Sequence, residues 1–302
     1  MRFAVIGSPV AHSRSPAMHE AAFRALGLDH TYEKIETTAA ELPARVAALR
    51  AGELDGLNVT VPHKSAVLSL ADEIAPAAAA IGAANTLLRT ADGRVVAHNT
   101  DAPAIAEELA RLRGFDFGTA GGALSIRDPR TFAGTSVLVI GSGGAARAAV
   151  FAAGALGAAH VVVRARTEPI GAADVLAAGA ASTDHARPVL VFEPLGGAPH
   201  AERSDLAAIV QCTTAGMHGG PPGELAAGAV HWDSVPSTCV AYDVVYSTGL
   251  TPFLAAAAAR GLRHAGGLGM LVTQGALAFT LWLGCPPPRD VMHHAAATPH
   301  PP

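Results

Sequence analysis

Residues 136–167 read SVLVIGSGGAARAAVFAAGALGAAHVVVRART. An apolar run ends in a glycine turn, a string of small helix formers follows, and a second apolar run closes the segment. That is strand, turn, helix and strand within about thirty residues, the spacing of one βαβ unit of a parallel sheet. Gly141, Gly143 and Ala146 fall in the GxGxxA pattern, with Ser142, Gly144 and Ala145 completing the turn. The first glycine permits the tight turn, the second lets backbone approach a pyrophosphate, and the small third residue lets helix and strand pack closely. The segment therefore reads as a dinucleotide site. At the end of its second strand an NAD site carries an acid for the ribose diol; here stand Arg164, Ala165, Arg166 and Thr167. Guanidinium groups match a phosphate, which favours NADP, while Glu168 close by keeps NAD open.

Outward from this unit, the later apolar runs VLVFE, AIVQCT and CVAYDVV read as further strands of the same parallel sheet. Helices are expected near 251–260 and from about 268 to 283. Toward the N-terminus, FAVIG, TYEKIET and LNVTV alternate with helical stretches from Pro16 and near 39–51, a second α/β pattern. Ser15 before Pro16 suits an N-cap and first-turn pair. The stretch 114–135 is rich in turn residues, 168–206 is poor in helix signals, and the chain from Pro286 to its last residue reads as a loose tail.

The chain has 302 residues, more than one core usually organises, so two domains are expected. No apolar run reaches a bilayer span unbroken, and the N-terminus lacks a secretory h-region, which together predict a cytoplasmic protein without a membrane partner. A net charge of -4 with no basic run gives no footprint for nucleic acid. Cys212, Cys239 and Cys285 lack CxxC spacing, and the histidines, His293, His294 and His300 among them, do not fall at metal spacing, so no metal site is predicted.

Lys34 and Lys64 are the only lysines; every other cationic side chain except histidine is arginine. Lys64 lies in NVTVPHK at 58–64, one of four polar clusters with HSRSP at 12–16, AANT at 83–86 and HNTD at 98–101. These clusters contain every asparagine of the chain, Asn58, Asn85 and Asn99. Taken singly, Thr60, Asn85 or Asp101 is a helix cap or turn former; taken together with Lys64, that reading is weak.

GSPVAHSRSP, NVTVPHK, GAANTL, NTD, GSGGAARA, TTAGM at 213–217, YDVVYSTGLTPFL at 242–254 and GGLGMLVTQGALAFTLWLG at 266–284 together resemble the shikimate dehydrogenase family, collinearly over nearly the whole chain. The resemblance implies an α/β fold of two domains: an α/β substrate-binding domain of residues 1–103 plus 265–302, and a Rossmann-type doubly wound NADP-binding domain of residues 104–264, separated by a cleft. It implies reversible, NADP-dependent reduction of 3-dehydroshikimate to shikimate. Ser13 and Ser15 would hold the substrate carboxylate with Tyr246 assisting; Thr60, Asn85 and Gln274 would surround the ring, with Lys64 and Asp101 catalytic. Thr213, Gly267 and Met270 would join Gly141–Ala145, Arg164, Arg166 and Thr167 around the cofactor. A monomer or homodimer is expected. The chain departs from the family pattern at Ala102 and Pro103 after NTD, at Gln211 where the family tends to have asparagine, and at Ile170 where a second basic residue often falls. Quinate and aminoshikimate dehydrogenases share most of these motifs, and a silent dehydrogenase-like sensor would share the fold.

Overall fold

The computed structural model describes residues 1–115, 117–120, 123–126, 131–168, 171–183, 185–196, 201–217, 219–247 and 249–298. Ile170 and His300 lie outside them. The chain divides into two compact units, Met1–Asp101 with Leu271–Pro302, and Ala102–Met270.

The first unit opens with β1 (Arg2–Gly7), α1 (Ser15–Ala25), β2 (Thr31–Glu36), α2 (Leu42–Ala51) and β3 (Gly56–Val59). It continues through β4 (Glu73–Ile74), α3 (Pro76–Ile81), β5 (Thr86–Arg89) and β6 (Val95–His98). The six strands form one sheet in the order β2-β1-β3-β5-β6-β4. β1 pairs in parallel with β2 and β3, while β5 runs antiparallel to β3 and β6. Side chains such as Ile6, Val46, Leu49, Leu57, Ile81 and Leu87 are buried, the apolar positions of two-faced strands and their covering helices.

α4 (Asp101–Leu112) starts on the last residue of the first unit, with Pro103 in its first turn, where a missing N–H costs nothing. After a hairpin of β7 (Phe117–Ala120) and β8 (Ala123–Ile126) come β9 (Ser136–Ile140), α5 (Gly144–Ala155) and β10 (His160–Ala165). These are followed by α6 (Ala172–Ala181), β11 (Val189–Pro194), β12 (Leu206–Gln211), α7 (Glu224–Ala227), β13 (Val240–Asp243), α8 (Pro252–Ala259) and β14 (Arg263–Gly266). The second sheet is wholly parallel in the order β11-β10-β9-β12-β13-β14. Strand order reverses between β9 and β12, the switch point at which open parallel sheets bind ligands beyond their carboxyl ends. α9 (Leu268–Leu283) carries the chain back, and α10 (Arg289–Ala297) ends the described fold. Trp282 on α9 stacks on Phe3 with ring centroids 4.8 Å apart, and its indole lies where any side chain on Gly56 would sit, 2.4 Å from a built Cβ. Among the described residues no helix is long and apolar enough to cross a membrane.

Four local expectations are corrected. Ser15 is the first helical residue of α1 and not its cap; the N-cap is Arg14 and makes no side-chain cap bond, while the Ser13 hydroxyl accepts the Ser15 N–H at 3.3 Å. The helix expected near 39–51 begins only at Leu42. The stretch 168–206 contains α6, which a periodicity of large apolar residues could not reveal because it packs through glycine. A Cβ on Gly179 would stand 2.2 Å from the Phe151 carbonyl oxygen, and one on Gly154 would stand 2.4 Å from that of Leu176. The expected loose tail contains α10, whose Met292 and Ala296, four apart on one face, are fully buried. Arg14 donates to the Ala296 carbonyl at 2.7 Å and ties this helix to α1.

Candidate active site

In the first unit, β1, β3 and β6 point the same way, and β5 the opposite way. The loops after β1, β3 and β6 and the residues before β5 therefore leave one end of the sheet. That end carries Ser13 and Ser15, Thr60 to Lys64, Asn85, and Thr100 to Asp101. The β3 loop is fixed by main-chain bonds, Thr60 N–H to the Ile6 carbonyl at 2.9 Å and His63 N–H to the Thr60 carbonyl at 3.0 Å. Buried His63 places its Nε2 2.6 Å from the Thr37 carbonyl. The Lys64 carbonyl accepts the Ala84 N–H at 2.7 Å, which joins the lysine's backbone to the segment carrying Asn85.

Lys64 Nζ donates to Asp101 Oδ2 at 2.7 Å, with 17% of the lysine side chain exposed and 3% of the aspartate. The other carboxylate oxygen, Oδ1, accepts from Asn85 Nδ2 at 2.8 Å. Asn85 also faces Thr100 Oγ1 at 2.8 Å and Gln274 Oε1 at 3.2 Å, and its own Oδ1 accepts the Thr100 N–H at 2.7 Å. An amide NH₂ has two protons for these three acceptors, so Gln274, the longest contact, is the one readily given up to a ligand. Lys64 has two further N–H bonds with no partner among the described residues and a partial opening to solvent. Three of the four sequence clusters are thus joined by direct contacts, which link Lys64, Asp101, Asn85 and Gln274. Thr60 sits in the same β3 loop, its methyl against Gly7, where a Cβ would approach it to 2.3 Å. Ser13 and Ser15 stand at the start of α1, Ser15 buried and Ser13 half-buried.

Two supporting residues escaped the sequence reading. Asn58 donates to the Asn85 carbonyl and to Thr86 Oγ1, both at 3.1 Å, and accepts from the buried Tyr32 hydroxyl at 2.7 Å. Asn58 stood inside NVTVPHK and was available to be singled out; Tyr32, on β2, had no local signal at all.

In the second unit the glycine turn follows β9 as expected. Gly141 has φ 120°, and a Cβ there would crowd Thr213 Cγ2 at 3.2 Å and the Cys212 backbone. Gly143 caps α5 without a side-chain cap bond, and a Cβ built on it meets nothing within 4 Å. Open space thus lies before the first-turn N–H groups of a twelve-residue helix with no acidic residue in that turn, with Ser142, Gly144 and Ala145 half-buried beside it. These features fit a dinucleotide pyrophosphate. Arg166 and Thr167, just past β10, are exposed and suit a ribose phosphate. Arg164 does not: this expectation is overturned. Its guanidinium is buried, bonded to Glu193 and to the Ala229 carbonyl, and 2.9 Å from Glu202 Oε1, so its charge is spent inside the fold. Thr213 follows β12. Gly267 lies so close to the Val244 carbonyl that a Cβ would stand 2.1 Å from it, and the Met270 N–H donates to the Tyr242 hydroxyl at 3.3 Å. Tyr246, half-buried, follows β13 in the second unit.

A family model described as the shikimate dehydrogenase substrate binding domain matches residues 5–87, and one described as the shikimate 5'-dehydrogenase C-terminal domain matches residues 267–297. The chain is 40% identical over 296 residues to a shikimate dehydrogenase (NADP(+)) of Citrifermentans bemidjiense, covering 97% of this chain and 93% of that protein. A shikimate 5-dehydrogenase of Thermus thermophilus, solved in complex with NADP(H) and shikimate, superposes with TM-score 0.72 at 37% identity, covering 98% of each chain. The ligand-free 5-ketofructose reductase of a Gluconobacter strain superposes with TM-score 0.77 at 30% identity, covering 98% of this chain and 97% of that one.

Proposed function

The chain belongs to the shikimate dehydrogenase family, and on that premise we propose that it is an NADP-dependent shikimate dehydrogenase, reversibly reducing 3-dehydroshikimate to shikimate in aromatic (chorismate) biosynthesis. The observation that carries this reading is the Lys64–Asp101 pair, 2.7 Å long and braced by Asn85. When bound, NADPH supplies the hydride. As a new C–H bond forms at the ketone carbon, the carbonyl π electrons move onto oxygen, which takes a proton from the Lys64 ammonium. Lys64 regains that proton from solvent through its exposed portion. Asp101 aims the ammonium and accepts a ring hydroxyl. Charge placed in advance where the oxyanion develops costs no reorganisation at the moment of transfer.

Around this pair Thr60, Asn85 and Gln274 bind ring hydroxyls, the Ser13 and Ser15 hydroxyls donate to the carboxylate, and Tyr246 assists there. The first unit, which contains all of these but Tyr246, is the substrate-binding domain, and the second, which contains Tyr246, holds the dinucleotide. Gly141 to Ala145 and the start of α5 receive the pyrophosphate, Arg166 and Thr167 the ribose phosphate, and Thr213, Gly267 and Met270 the nicotinamide half. The reading carries with it a cytoplasmic enzyme, monomer or homodimer, that handles small molecules only. The test is a panel of shikimate, quinate and aminoshikimate, each with NADP⁺ and NAD⁺, followed by nicotinamide absorbance. Shikimate with NADP⁺ should give the highest kcat/KM; a preference for another ring substrate or for NAD⁺ would replace the reading, and no turnover with any pair would favour a silent sensor.

A further inference from the structure

Beyond the residues that face the ligands, one buried carboxylate holds together the loops assigned above to the nicotinamide half of the cofactor. Asp243, the last residue of β13, is fully buried, and no ion pair to it forms among the described residues. Its partners are neutral donors: the Thr251 hydroxyl to Oδ2 at 2.6 Å, the Val245 N–H to Oδ1 at 3.0 Å, and Gln211 Nε2 to Oδ1 at 3.3 Å. Each donor belongs to a different segment: Gln211 ends β12, Val245 follows β13 and Thr251 caps α8. Gln211 also donates to the Ala215 carbonyl at 3.1 Å and accepts the Thr213 N–H, which sets the turn bearing Thr213. Val245 accepts the Gly267 N–H at 3.1 Å, next to the point where the Gly267 backbone presses on Val244. Thr251 caps α8, accepting the Leu254 N–H at 3.3 Å.

We propose that Asp243 is a positioning residue for NADP: in its ionised form it fixes the Thr213 turn, the 244–246 segment and the Gly267 approach in the arrangement that receives the nicotinamide half. A buried carboxylate kept without a cation is costly, and such a group persists where its acceptor capacity is needed in full. Only an ionised carboxylate accepts from all three donors without one of them having to turn round. Burial pushes the Asp243 carboxyl up to about 6, against the hydrogen bonds from Thr251, Val245 and Gln211 that favour its charge. The titratable neighbours are Tyr242 on the same strand, whose hydroxyl burial raises well above its ordinary range, with Glu108 and Arg111 of α4 acting on that tyrosine, and Cys212 next to Gln211. The 2′-phosphate of NADP itself ionises at about 6, so the share of the limb in cofactor affinity that belongs to Asp243 is the share that Asp243→Asn removes. The family's usual asparagine, Gln211 here, thereby gains a reason for its extra length: its amide reaches both Asp243 and the Ala215 carbonyl.

This inference rests on the NADP reading above, and direct binding separates the two. NADP⁺ affinity is measured by calorimetry without substrate, across pH 5 to 8, for wild type, Asp243→Asn, Thr251→Val and Thr251→Ser. Asp243→Asn should weaken NADP⁺ on the order of tenfold at neutral pH and flatten the limb near 6 to the share that the cofactor phosphate supplies. Thr251→Val, which deletes one bond favouring the charge, should move the limb to higher pH; Thr251→Ser, which keeps the hydroxyl, should restore it. Should Asp243→Asn fail to fold, the two Thr251 variants decide the matter alone. Wild-type affinity and pH profile in Asp243→Asn, or an unmoved limb in Thr251→Val, would overturn the inference and leave the NADP reading standing. No NADP⁺ binding by wild type would overturn both.

Discussion

Asp101→Asn removes one negative charge from the centre of the site and almost no volume. The carboxylate accepts from two directions, Lys64 at 2.7 Å on one oxygen and Asn85 at 2.8 Å on the other. An amide has a single acceptor oxygen, so in the variant either Lys64 or Asn85 faces an NH₂ group with its own N–H. If the oxygen turns to Asn85, the ammonium is pushed away from the place where the carbonyl must sit; if it turns to Lys64, Asn85 loses its anchor and with it the Gln274 and Thr100 contacts. Loss of one charge-assisted hydrogen bond is worth roughly 1.5–3 kcal/mol, which is ~10- to 10²-fold in rate if expressed in the transition state. A displaced proton donor adds part of the ~10²–10⁴-fold ordinarily supplied by general acid catalysis. The expected result is a kcat lowered by ~10²–10³-fold with a much smaller change in the KM for shikimate. Steady-state NADP⁺ reduction by shikimate measures both, with urea unfolding as the control that the variant is folded. A kcat within about threefold of wild type in a folded variant would show that the pair does not carry the chemistry.

Two further predictions follow from the geometry. Arg166→Ala should raise the KM for NADP⁺ while leaving that for NAD⁺ nearly unchanged if, as proposed, the exposed guanidinium meets only the extra phosphate; equal losses with both cofactors would contradict that role. His19, fully buried with both ring nitrogens unpartnered and stacked 4.4 Å from Tyr32, has its pKa lowered by burial to about 3 from 6.5. The folded state thus binds the proton less well than the unfolded chain. The stability due to neutral His19 is complete above pH 6.5 and falls as pH drops toward 3, on the order of 1.4 kcal/mol per pH unit. His19→Phe should flatten that acid limb in urea unfolding titrations; an unchanged slope would place the acid sensitivity elsewhere.

What the sequence disclosed depended on whether the physical signal was local. The glycine turn announced its own helix and strands, because each residue type there answers a backbone demand made within a few positions. Lys64 stood out through its rarity and its motif, and its contact with Asp101, 37 residues away, joins two of the clusters. Arg164 was misread because a cation beside a strand end looks the same whether it meets a phosphate or two glutamates, and Glu193 and Glu202 arrive from 29 and 38 residues further on. α6 was hidden because alanine and glycine at a close helix crossing leave no apolar stripe, and α10 because the prolines at 286–288 read as the start of disorder. Tyr32 was silent for the reason Arg164 misled, its partner Asn58 coming from another strand, and Asp243 because Gln211 and Thr251 lie 32 and 8 residues away.

The most direct test of the central claim is kcat for shikimate oxidation by NADP⁺ in Lys64→Ala beside the wild-type protein. Removal of the proton donor should lower kcat by ~10²–10⁴-fold with a far smaller change in KM. Near-wild-type turnover in the variant would remove Lys64 from the mechanism and contradict the reading built on it.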